Sequence, residues 1–155
     1  MIFNALFGGS VTSKLFTNVR ERLSLCYYAS SMIDKNKGIM IVYSGVEHDN
    51  IDTANDEISN QLDAMRNGEI SDYEFENAQK YINTAIRSKL DTAGGIEDYY
   101  LDAAISGSTL SPEDLAFNTA LVTKDEVIEI ANSVVLDTIH YITPSGGASD
   151  EAQAL

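Results

Sequence analysis

Apolar residues recur at helical spacing along most of this chain. The pattern is broken near the start by a glycine pair and by two β-like runs. Residues 1–7 read as the end of a helix that stops at Gly8-Gly9, where glycine lets the backbone turn away. Ser10 or Thr12 is placed to cap a second helix running to about Leu23. Its apolar stripe is Leu15, Phe16, Val19 and Leu23. Residues 27–34 and 38–46 read as two strands, joined by a hairpin loop that ends at Gly38. The second run contains Ile39, Met40, Ile41, Val42 and Tyr43, apolar and β-branched enough for a central, buried strand.

From Asn50 onward the period is helical. Ile51, Ala54, Ile58, Leu62 and Met65 share one face, and Gly68 ends that helix. Ser71 and Glu74 form a capping box for a helix that turns Phe75, Ala78, Ile82 and Ile86 inward. A break at residues 92–95 precedes a helix built on Ile96, Tyr99, Tyr100 and Ala103. Ser111, Pro112 and Glu113 open the next helix, with proline in its first turn. Thr123 and Glu126 repeat the capping box before Val127, Ile130 and Ala131. Residues 135–143 read as a last strand, and 144–155 as a polar, disordered tail. The sum is an α+β domain over residues 1–143, with helices packed on one face of a small, mainly antiparallel sheet. Three strands make a thin sheet, since natural sheets usually have about five.

Composition narrows the function classes. The 155 residues suit one domain with one core, and 44% are hydrophobic. Lys and Arg number 10 against 24 acids, for a formal net charge of −14. Such a surface repels phosphate backbones and anionic membranes, which argues against nucleic-acid and membrane partners. Cys26 is the single cysteine, which rules out an internal disulfide and fits a cytoplasmic location. Lying between Leu25 and Tyr27, it reads as a small hydrophobe before a catalytic thiol. Residues 1–9 carry no basic stretch of the secretory kind.

Candidate chemistry is sparse. A catalytic zinc site needs a cluster of His and carboxylate ligands. His48 and His140 are the two histidines, far apart and without a helical i, i+4 partner. No H-x-x-E-H or H-E-x-x-H motif occurs, so no metal site is expected in this chain. Arg20 and Tyr27, seven residues apart, are the remaining pair of interest. A guanidinium and a phenol both donate hydrogen bonds, and together suit a peptide carbonyl whose oxygen gains negative charge. The plainer account pairs Arg20 with Glu21 or Glu47 and seats Tyr27 in the core.

Gly8, Gly9, Ser10, Ser13, Lys14, Leu15, Phe16, Arg20, Glu21, Leu25 and Tyr27 together resemble the signature of the carboxy-terminal half of pitrilysin-like, or insulinase-like, metallopeptidases, the inverzincin family. The likeness continues through the glycine-containing strand end, the long helix and the turn at Gly68-Glu69-Ile70, and extends to about Tyr141. It implies one half of a domain pair that closes around an unfolded peptide. Zinc belongs to the other half, either an amino-terminal half or a sister chain, so no cofactor is expected here. Arg20 and Tyr27 match the family's substrate-contacting Arg and Tyr; Tyr28 is off that spacing. The chain departs from the family in lacking the zinc-bearing half and a strand before its first helix. It therefore reads as a fragment, inactive alone, with an exposed sheet edge that invites self-association. Two further readings stand beside this one: a non-catalytic partner subunit of an active homologue, and an acidic interaction module without peptide chemistry.

Overall fold

The structure, a computed structural model, describes residues 1–143. The chain opens with a short helix, α1 (Ile2–Asn4), that widens into a π-helical segment, Ala5–Gly9. A second π-helical segment, Leu15–Arg22, follows, and then the antiparallel hairpin of β1 (Cys26–Asp34) and β2 (Ile39–Val46). Five helices complete the fold: α2 (Ile51–Arg66), α3 (Asp72–Ser88), α4 (Ala93–Ser106), α5 (Pro112–Leu121) and α6 (Lys124–Ser133).

The first helical stretch is almost wholly apolar because it is the centre of the core, Asn4 being its polar exception and accepting from Ser31 Oγ. Ile2, Phe3, Ala5, Leu6 and Phe7 are all buried. They share one cluster with Leu15 and Val19, Ala29 of β1, Met65 of α2, Ala78, Ile82 and Ile86 of α3, and Val127 and Ala131 of α6. The capping boxes at Ser71–Glu74 and Thr123–Glu126 form as the sequence predicts, and Ser111–Asp114 makes a third. The hairpin loop is closed by Asp34, whose Oδ1 accepts from the Asn36 and Lys37 amides, and by Gly38 at φ 66°. The architecture is the expected α+β class, with helices on one face of a two-stranded antiparallel sheet.

Several expectations are corrected. Residues 135–143 join no sheet. A strand needs a partner edge, and here the segment meets α2 through a side chain instead: Asn55 donates to the Tyr141 hydroxyl at 2.6 Å, while Arg66 donates to the carbonyl of Val134, the residue just before the segment, at 2.6 Å. β2 is not a buried central strand: Ile39, Ile41 and Tyr43 are exposed on its outer side. Neither Ser10 nor Thr12 caps the second helical segment. Ser13 Oγ, fully buried, accepts from the Phe16 amide, while Ser10 turns back to donate to the Ala5 carbonyl. The wider π winding also moves Leu23 off the Leu15–Val19 stripe into solvent. Ile130 and Tyr100 face outward as well. The tail at 144–155 lies outside the described residues.

Gly8 explains why the two helical segments and β1 can meet. A Cβ there would lie 2.6 Å from Ser31 Oγ, 2.7 Å from the Ser31 backbone nitrogen and 2.8 Å from Leu15 Cδ1. The glycine is required by close approach of backbones and not, as the sequence alone implies, by a turn.

Candidate functional site: Arg20 and Tyr27

Arg20 sits in the second π-helical segment, and its position is set by the side chains around it. Asn18 donates to Gln61 Oε1 at 2.7 Å, Gln61 donates to Glu57 at 2.7 Å, and Arg22 donates to the same carboxylate at 3.2 Å. Gln61 is buried, so this polar chain fixes one side of the segment against α2. Arg20 points elsewhere. It is exposed, its guanidinium lies 4.5 Å from the centre of the Phe16 ring, and it has no carboxylate partner among the described residues. The Phe16 face holds the cation without consuming any of its N–H donors.

The path from Arg20 to Tyr27 leaves the π-helical segment after Arg22 and turns sharply at Ser24. Leu23 N–H donates to the Asn18 carbonyl, the i→i−5 pattern of π winding, and Leu25 N–H donates to Val19. Between them Ser24 adopts φ 52°, the one left-handed non-glycine residue among those described. The strand then begins with a bulge. Cys26 pairs with Val46 and Tyr28 with Gly45, which leaves Tyr27 as the extra residue. A bulge re-aims the side chain it carries, and Tyr27 is 75% exposed. Its hydroxyl donates to Glu47 Oε1 at 3.2 Å, at the mouth of a shallow cavity of about 190 Å³ lined by Ser24, Leu25, Cys26, Tyr27, Glu47 and Asn50.

The plainer account of the pair therefore fails on both counts. Arg20 is tied to neither Glu21 nor Glu47, and Tyr27 is not a core residue. The two side chains make no hydrogen bond to each other; what they share is the turn at Ser24 and an outlook to solvent. The hairpin read from the sequence already sets the end of β2 beside the start of β1, but the bulge that turns Tyr27 towards Glu47 has no local sequence signal. Tyr28 belongs to the outer face of the hairpin, with its ring 6.2 Å from that of Tyr43. His48 and His140 are both exposed and far from any cluster, and no group of three or more His, Cys, Asp or Glu side chains among the described residues could hold a metal ion. What the arrangement offers chemically is hydrogen-bond donation from the Arg20 guanidinium, beside a Tyr27 hydroxyl engaged by Glu47.

Residues 1–82 match the family model described as the peptidase M16 inactive domain. The chain belongs to the peptidase M16 family, the pitrilysin-like metallopeptidases. It is 37% identical to a probable inactive metalloprotease, YmfF, of Bacillus subtilis (strain 168), over 96% of this chain and 35% of that protein. An uncharacterized zinc protease of Rickettsia bellii is 28% identical over 83% of this chain and 32% of that one. The chain thus spans about a third of the length of these curated relatives. Among solved structures, a conserved protein from Enterococcus faecalis V583 superposes with a TM-score of 0.78 at 36% identity, covering 84% of this chain and 31% of that one. The M16 signature residues can now be read physically. Ser13, Lys14 and Leu15 are buried packing and capping positions, whereas Arg20 and Tyr27 are presented outward.

Proposed function

We propose that this M16 domain is the substrate-holding, zinc-less half of a peptidase assembly, inactive on its own. In this reading Arg20 and Tyr27 donate hydrogen bonds to the backbone of an extended peptide. The observation that carries it is the exposure of both side chains on either side of the strained Ser24 turn, with the Tyr27 hydroxyl exchanging its Glu47 acceptor for the peptide. Arg20 is unpaired with any described carboxylate, and Tyr27 is aimed outward by a bulge. Residues held in sparsely populated backbone conformations, bulges and π-helical turns all concentrate at functional sites. The outer face of the hairpin adds an apolar wall for peptide side chains, formed by Tyr28, Met32, Ile39, Ile41 and Tyr43. The partner would be a zinc-bearing amino-terminal half or sister chain, with zinc confined to it. A cytoplasmic location fits the lone cysteine, and self-association would run through the sheet edge. No helix among the described residues is long and apolar enough to cross a membrane.

A second reading, a non-catalytic subunit that binds peptide beside an active homologue, is favoured by the likeness to a relative named an inactive metalloprotease. Both readings require peptide binding, which an acidic interaction module without peptide chemistry would lack.

The deciding experiment reconstitutes the chain with a zinc-bearing M16 half and measures binding and turnover of an extended peptide. Arg20→Ala and Tyr27→Phe should each lower turnover about tenfold to a thousandfold, as loss of an oxyanion-type donor does, or weaken binding where the assembly holds no zinc. Variants that bind and turn over peptide like the wild type would sink the clamp.

A further inference from the structure

Helix α4 has two apolar faces, and the fold uses only one. On the inner side Tyr99 is buried and its hydroxyl donates to the Leu110 carbonyl at 2.9 Å, with Gly95 and Ala103 half-buried on the same side. On the other side Ile96, Tyr100, Leu101 and Ile105 recur at helical spacing and are 39%, 55%, 56% and 64% exposed. A stripe of four large apolar side chains on a solvated helix exceeds the scattered exposure of an ordinary surface. Glu97 lies within this face, between Tyr100 and Leu101, and Asp98 and Asp102 border it beside Ile105. All three are exposed, none makes an ion pair among the described residues, and the helix contains no Lys or Arg. The next helix adds Glu113 and Asp114 in its first turn.

We propose that this face of α4 docks a cationic amphipathic helix of another polypeptide. Its apolar side chains would lie on Ile96, Tyr100, Leu101 and Ile105, one Lys or Arg among them would meet Glu97, and cations on its border would reach Asp98 and Asp102. The choice of occupant follows from charge. A second copy of this chain would oppose the same carboxylates across the interface, with a formal net charge of −14 on each copy. An anionic lipid surface would be repelled for the same reason. A helix with cations within and beside its apolar face satisfies both features at once, and the acidic field would also speed its encounter. This surface is separate from Arg20 and Tyr27, and the inference does not depend on peptide binding there.

The test is a titration of the isotope-labelled chain, followed by amide NMR, with a synthetic Leu/Lys amphipathic helix of 14 residues, the length of α4. A matched peptide with Glu in place of Lys is the control. The expected result is shifts concentrated at residues 96–105, about tenfold weaker binding to the Leu101→Ser, Ile105→Ser double variant, and no binding of the Glu peptide. Raised salt should weaken binding further. Asp98→Asn with Asp102→Asn provides a second, fold-neutral variant, expected to weaken binding about threefold. The proposal is overturned by shifts spread over other acidic surface, by equal binding of the Glu peptide, or by unchanged affinity in either folded variant. It is also overturned if the chain self-associates without peptide and Ile105→Ser abolishes that association, since a second copy would then be the occupant.

Discussion

Lys14 Nζ lies 3.0 Å from Glu74 Oε1, and the lysine side chain is 8% exposed, so a nearly buried ion pair ties the start of the second π-helical segment to the cap of α3. The other oxygen of Glu74 accepts from the Ser71 amide and hydroxyl. One carboxylate thus joins two elements sixty residues apart in sequence. Lys14→Met should keep the packing of the stem and lose the charge. It leaves Glu74 half-compensated, and denaturant unfolding should show a loss of about 2 kcal/mol, below the range for fully buried pairs. A loss under about 0.5 kcal/mol, the scale of an ordinary surface substitution, would mean the pair is incidental.

Acid should act through the same residue. Burial pushes the Glu74 carboxyl up, but the Ser71 hydrogen bonds and Lys14 outweigh it and hold the group below its ordinary value. A group whose folded value lies below its unfolded one stabilises fully above the unfolded value, about 4.3 for Glu. That contribution is lost as pH falls through the folded value. Melting temperature should therefore drop in this acidic window, and Glu74→Gln should flatten the drop. Equal slopes for wild type and variant would assign acid sensitivity elsewhere.

Gly8→Ala should be a damaging small substitution in the signature. Its methyl group meets the Ser31 backbone and Leu15 inside van der Waals distance, and backbone cannot give way as a side-chain tip can. Overpacking of this kind costs about 1–3 kcal/mol. Thermal melts of Gly8→Ala and Gly94→Ala, the latter with open space around it, make the comparison. Similar melting temperatures for the two would contradict the packing account.

Ser24 separates strain from function. Left-handed backbone costs an L-residue about 1–2 kcal/mol that glycine does not incur. Ser24→Gly should leave stability equal or raised, and Ser24→Val should lower it by about that amount. If the turn sets the aim of Arg20 and Tyr27, Ser24→Gly should also weaken peptide binding while the protein remains as stable as the parent. Full affinity in a stable Ser24→Gly protein would separate the turn from the site.

The purified chain should hold no stoichiometric zinc after washing with chelator and re-addition of the metal. A catalytic zinc needs three protein ligands converging on one point, and the two histidines lie exposed and apart. Metal analysis that finds one tightly bound zinc per chain would overturn this expectation.

Local signals carried the helices a long way. The Ser71–Glu74 and Thr123–Glu126 boxes and the inward faces of α2 and α3 depend on side chains within one or two turns, so spacing alone determines them. The signature brought Arg20 and Tyr27 forward only as a candidate pair. The tertiary structure decided what those residues face. That Arg20 rests on Phe16, that Tyr27 rides a bulge and meets Glu47, and that Gly8 serves packing with Ser31 all depend on which backbone lies alongside. Residues 135–143 mark the same boundary. Their composition is that of a strand, but strand formation requires backbone hydrogen-bonding groups on a second segment, and in this fold the sheet consists of β1 and β2 alone among the described residues, while Asn55 of α2 reaches the segment only through the Tyr141 hydroxyl.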